Sequence, residues 1–102
     1  MTDSIEISLM TTYLIRNILV ENRNNIQPVK SSIVIPENPG EIDIKKILKS
    51  VYKNSLELSF VVKKLETLLK IYQIHSKQKD LQSLVKLKSE ILEILGYREI
   101  RI

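Results

Sequence analysis

Residues 4–20 repeat as residues 55–71 at a constant offset of 51, and no other feature constrains the fold so much. Ser4-Ile5-Glu6-Ile7-Ser8-Leu9 stands against Ser55-Leu56-Glu57-Leu58-Ser59-Phe60. Of the seventeen pairs four are identical (Ser4/Ser55, Glu6/Glu57, Ser8/Ser59 and Leu14/Leu65), and six more exchange one apolar residue for another. Apolar spacing alone would match any two amphipathic helices, so the shared serines and glutamates carry the weight. Asp3 and Asn54 also stand three residues before Glu6 and Glu57. That is the spacing of a capping box, in which cap side chain and N3 carboxylate satisfy each other's free backbone N–H groups. The pattern predicts two tandem copies of one helix-led unit, residues 3–53 and 54–102, within a single domain spanning 1–102.

Each copy reads as a helical hairpin. The opening Ile5-Glu6-Ile7-Ser8-Leu9 alternates at period two, but Leu58, Val61, Val62, Leu65, Leu68, Leu69 and Tyr72 follow i, i+3, i+4, i+7 spacing. The leading helices are expected at about 4–22 and 55–74. In copy one, Asn38-Pro39-Gly40-Glu41 offers an N-cap, a proline at N1 and an N3 glutamate ahead of Ile44, Ile47, Leu48, Val51 and Tyr52. In copy two a polar turn at His75–Gln78, with Ser76 or Gln78 as cap, leads into a stripe of Leu81, Leu84, Val85, Ile91, Leu92 and Leu95. Gly96 then takes the left-handed C′ position. An offset of 44 aligns Ile47, Leu48 and Val51 with Ile91, Leu92 and Leu95, so the second helices repeat as well.

The loops differ. Copy one spends residues 23–38 between its helices, and Val29–Ile35 within them is β-prone and bracketed by Pro28 and Pro36. This suits a short edge strand. The expected fold is mainly α: two tandem helical-hairpin repeats with pseudo-two-fold symmetry, plus a short two-stranded β element pairing 29–35 with 97–102. The first helix also carries Ile5, Leu9, Tyr13 and Val20 away from its core stripe, as the third carries Leu56, Phe60 and Ile71. Helices apolar on both sides are expected to be sandwiched, which places helices one and three at the centre.

Composition narrows the chemistry. With no cysteine there are no disulfides, thiolate zinc sites or thiol catalysis. The one histidine, His75, stands in a polar stretch with no carboxylate at helical spacing, and Gly40 and Gly96 are too few for a phosphate-binding loop. No His/Asp/Glu pair is backed by a third metal ligand. A non-enzymatic protein without cofactor or metal is expected. No apolar run approaches the ~20 residues of a membrane span. The acidic opening Met-Thr-Asp-Ser-Ile-Glu lacks the basic stretch of a secretory signal. Both observations favour a cytoplasmic protein without membrane contact.

Two surfaces stand out. Residues 44–88 carry eleven lysines against three acids, a net +8, whereas residues 1–43 carry six acids and three bases. Lys45, Lys46, Lys49, Lys53, Lys63 and Lys64 around the junction of the copies are candidate phosphate contacts for nucleic-acid binding. Arginine is scarce there and no recognition motif accompanies the lysines, which leaves this reading second. The first reading is a protein–protein interaction module holding a partner protein or peptide in the groove between the repeats. Leu9, Tyr13, Ile15, Leu19, Phe60 and Lys64 are its candidate contacts. Ile15 and Leu19 occupy the places of Glu66 and Lys70 in copy two, an i, i+4 pair suited to water. An apolar flank of this kind must be covered, by the loop bearing Ile33, Val34 and Ile35, by a partner, or by a second copy in a homo-oligomer.

In its lack of cysteine, its wealth of Ile, Lys and Leu, and its Ser4–Val20/Ser55–Ile71 duplication, the chain resembles small proteins of viruses of hyperthermophilic archaea, filamentous viruses of Acidianus among them. That resemblance implies a viral protein working in the host cytoplasm, with a virion structural component as a further alternative. It supplies no site residue.

Overall fold

The computed structural model describes residues 5–100. Helix α3 (Ser55–Gln78) is its longest element, and Asn54 starts it, accepting the Leu56 and Glu57 amides at 2.8 and 3.1 Å. No glycine or proline interrupts residues 55–78, so the helix runs past 74 and takes His75–Gln78 into its last turn. The chain reverses instead at Lys79, held in the left-handed region at φ 56°. Helix α4 (Leu81–Ile94) is capped by Asp80, not by Ser76 or Gln78; its carboxylate accepts the Ser83 amide at 3.2 Å and hydroxyl at 2.8 Å. A carboxylate suits the positive end of a helix.

The first half departs further from expectation. Helix α1 (Leu9–Glu21) starts at Leu9, with Ser8 as N-cap accepting the Thr11 amide at 3.1 Å. Glu6 lies outside the helix, and Asp3 lies outside the described residues. The cause sits in the other copy. The Glu66 carboxylate accepts the Ser8 amide and the Thr11 hydroxyl, both at 3.0 Å. It thereby fixes the positive end of α1 at this point and leaves residues 5–8 out of the helix. Glu66 is thus a cap for α1 and not a water-facing partner of Lys70.

After α1 and a 3-10 turn (Arg23–Asn25), strand β1 (Ile26–Pro28) pairs antiparallel with β2 (Tyr97–Glu99), Ile26 facing Glu99 and Pro28 facing Tyr97. The two-stranded element forms, three residues before the expected 29–35. Beyond Pro28 the chain leaves the ladder, because the Val29, Lys30 and Ser31 amides all turn onto the Gly96 carbonyl at 2.9–3.1 Å. Gly96 itself has the left-handed φ of +94° expected of it. Asn38 caps only a 3-10 turn (Pro39–Glu41), and Asp43 starts helix α2 (Ile44–Val51) by accepting the Lys46 amide at 3.1 Å. The break between turn and helix carries Ile42 into the core.

One apolar core takes Ile15, Ile18 and Leu19 from α1, Ile44, Ile47 and Leu48 from α2, Leu58, Val62, Leu65, Leu68 and Leu69 from α3, and Ile91 and Leu92 from α4. Each such burial contributes about 1.5–3 kcal/mol. Helix α3 is the hub, paired with α4 as a hairpin and with α1 across the fold. The halves are unequal: α1 and α2 have 13 and 8 residues, α3 and α4 have 24 and 14. Helices α1 and α3 are not sandwiched, since Leu9, Tyr13, Leu56, Phe60 and Ile71 face solvent. Among the described residues no helix is long and apolar enough to cross a membrane.

Candidate functional site

Ile15 and Leu19 are 0% exposed within the chain itself. Helix α1 packs on α2, α3 and the Pro39–Glu41 turn, and Arg16 Nε donates to the Ile42 carbonyl at 3.0 Å, fastening the end of the long loop to α1. Ile35 is buried in the same core and Ile33 packs against it, while Val34 points outward. The flank that distinguishes α1 from α3 is therefore closed from inside. Ile15 and Leu19 are core residues, not docking contacts.

The other four candidates are exposed, two on α1 and two on α3. Leu9 (89% exposed) and Tyr13 lie on the side of α1 away from Thr11, the residue that meets α3. Phe60 (67% exposed) and Lys64 lie on the outer face of α3, away from the stripe Leu58, Val62, Leu65 and Leu69.

The α3 patch is the larger. At ~100° per residue, Leu56, Ser59, Phe60, Lys63, Lys64, Thr67, Lys70, Ile71, Ile74 and Lys77 fall within a ~140° arc opposite the core stripe. All ten, and Gln78 with them, are exposed, and the arc contains no acid; Glu57 borders one edge and Glu66, turned to the α1 N-terminus, the other. The exposed length from Leu56 to Gln78 is about 33 Å. At its first end a shallow depression of about 500 Å³ is lined by Asn54, Leu56, Glu57, Phe60 and Val61. Ile74 and Lys77 escaped sequence reading because a helix ending at 74 leaves this end in a turn. The usable signal was the lack of any breaker before Lys79.

A second cationic surface lies on α2. Lys45, Lys46 and Lys49 share the face opposite Ile44, Ile47 and Leu48, Lys53 follows just past the helix end with its Nζ 3.4 Å from the Lys49 carbonyl, and all four are exposed. None of them, nor Lys63 or Lys64, forms an ion pair among the described residues. The tip of the α3–α4 hairpin projects beyond the core. Leu81 (72% exposed) and Val85 continue the stripe of Ile91 and Leu92, but nothing covers them.

His75 is in the last turn of α3, with its Nδ1 3.3 Å from Asp80 Oδ2 but without hydrogen-bond geometry. Asp80 also accepts the Ser83 hydroxyl, so the carboxylate stands between serine and histidine. A nucleophilic triad needs the imidazole in the middle, to take the serine proton. The cluster therefore caps a helix and cannot activate Ser83. Near the sheet, Tyr97 donates to the Ile33 carbonyl at 2.6 Å and accepts from Ser31 Oγ at 3.2 Å, clasping the loop. Burial pushes its phenol pKa up. Searches against family models, curated proteins and solved structures found no match to this chain.

Proposed function

We propose that this chain is a non-enzymatic interaction module that binds a partner protein through the outer face of α3. Leu56, Phe60, Ile71 and Ile74 supply its apolar contacts, and Lys63, Lys64, Lys70 and Lys77 its charge. One observation carries the reading: these apolar side chains stay exposed along the helix although the core closes without them. Scattered apolar residues need no explanation, but a stripe along one helix marks a surface for association. With Ile15 and Leu19 buried, the outer face of α3 is favoured over a groove between the repeats.

Affinity capture with paired variants tests this. The wild-type chain and a Leu9→Glu/Tyr13→Glu variant should recover the same partner, and Phe60→Glu/Ile74→Glu should lose it while retaining its circular dichroism. Equal recovery by all three would overturn the proposal. Ile15→Glu/Leu19→Lys is no substitute. It buries two charges in the core, where their desolvation costs several kcal/mol against a total stability of about 5–15 kcal/mol.

Nucleic-acid binding is a second reading, favoured by the lysine face of α2. It predicts salt-sensitive binding of labelled duplex DNA that weakens in Lys45→Gln/Lys49→Gln. No binding even at low salt would end it. An origin in an archaeal virus, and work in host cytoplasm, are supported by the resemblance in composition alone.

A further inference from the structure

We infer that the partner segment docking on α3 is an acidic amphipathic helix. This rests on the reading of the outer face of α3 as the binding surface and adds what occupies it. Lys63, Lys64, Lys70 and Lys77 share the face, none has an acidic partner among the described residues, and no acid lies in the arc. Such a face calls for an anionic complement.

The placement of the lysines decides among anions. Around α3 the four apolar residues fall within ~60° of one another, with Lys63, Lys70 and Lys77 on one side and Lys64 on the other, and no apolar residue of the face stands between Phe60 and Ile71. A helix that rests on a membrane keeps its lysines at the flanks, so that its apolar side can sink ~5–10 Å. Here that side is only four residues, with a gap of about three turns between Phe60 and Ile71, too little apolar surface to sink. A nucleic-acid backbone supplies phosphates, but nothing apolar for Leu56, Ile71 and Ile74, and only Phe60 can stack on a base. An acidic amphipathic helix supplies both, with apolar residues at i, i+3, i+4, i+7 and carboxylates beside them. From Leu56 to Ile74 the face runs about 27 Å, the length of about five helical turns.

The test uses the full chain and a labelled synthetic peptide of ~20 residues with leucines at helical spacing and flanking glutamates. A version with glutamine for every glutamate and a scrambled version are controls. Anisotropy should show micromolar binding of the glutamate peptide and at least ~10-fold weaker binding of both controls. Lys63→Glu/Lys70→Glu, folded by circular dichroism, should lose a similar factor. Equal binding of the glutamate and glutamine peptides, or none, would overturn the inference. So would tighter binding to phosphatidylserine vesicles or duplex DNA, or self-association abolished by Phe60→Glu. If the peptide fails while Phe60→Glu/Ile74→Glu still loses the captured partner, the acidic helix falls and the surface stands. If that variant keeps the partner, the surface reading falls too.

Discussion

Gly96 shows how much one residue can hold. Its carbonyl accepts three consecutive amides of the long loop, and its φ of +94° suits a residue without a side chain. A Cβ there would meet the Ser31 nitrogen at 2.6 Å and Val51 Cγ2 at 2.8 Å. Gly96→Ala should therefore destabilise the fold by about 2–4 kcal/mol, through backbone strain and overpacking together. Thermal unfolding should show a Tm drop of about 10 °C or more. Gly40→Ala, whose nearest neighbour is Asn38 Oδ1 at 3.3 Å, should cost far less. A Gly96→Ala chain as stable as wild type would contradict this account of the loop. Gly96 was legible because a glycine after an apolar helical stripe has few other uses. Glu66 was not, because Ser8 and Thr11, which it caps, are 58 and 55 positions away. Spacing within one helix gave it a water-facing pair with Lys70 instead.

Among the elements, helices were legible as types and less so as extents. Apolar periodicity placed all four helices, and Asn54 started α3 as its side-chain chemistry requires. Boundaries failed where a rival cap existed: Ser8 with Glu66 for α1, Asp43 for α2, Asp80 for α4. The strand slipped by three residues because β-propensity could not reveal the amides of Val29, Lys30 and Ser31 converging on Gly96. The cap at Asp80 has a pH signature. Hydrogen bonds from the Ser83 hydroxyl and amide, and the neighbouring His75, hold the Asp80 carboxyl below its ordinary range. A carboxyl whose pKa is lower folded than unfolded adds stability above the unfolded value, and loses it as pH falls through the folded one. The Tm should accordingly fall below about pH 4. Asp80→Asn, which still caps, should soften that acid limb. An acid limb as steep in the variant as in wild type would show that the cap plays no part in it.

For the whole molecule, the difference between Ile15/Leu19 on α1 and Glu66/Lys70 on α3 is one of packing. Ile15 and Leu19 stand where α3 has Glu66 and Lys70 because that flank of α1 is buried by the chain, while Leu9 and Tyr13 stay as open on α1 as Leu56 and Phe60 on α3. Sequence alone showed two helices each apolar on two sides. It could not show which apolar side would be covered, since that depends on how α2, the loop and the projecting hairpin tip close around the core. The α1 flank is sealed by the chain and the outer face of α3 is exposed. Methyl-labelled NMR spectra recorded with a soluble gadolinium chelate test it most directly. The account predicts strong relaxation of the Leu56, Ile74, Leu81 and Val85 methyls, with those of Ile15 and Leu19 as protected as Leu48 and Leu69. Bleached Ile15 and Leu19 signals beside protected Leu56 and Ile74 would contradict it.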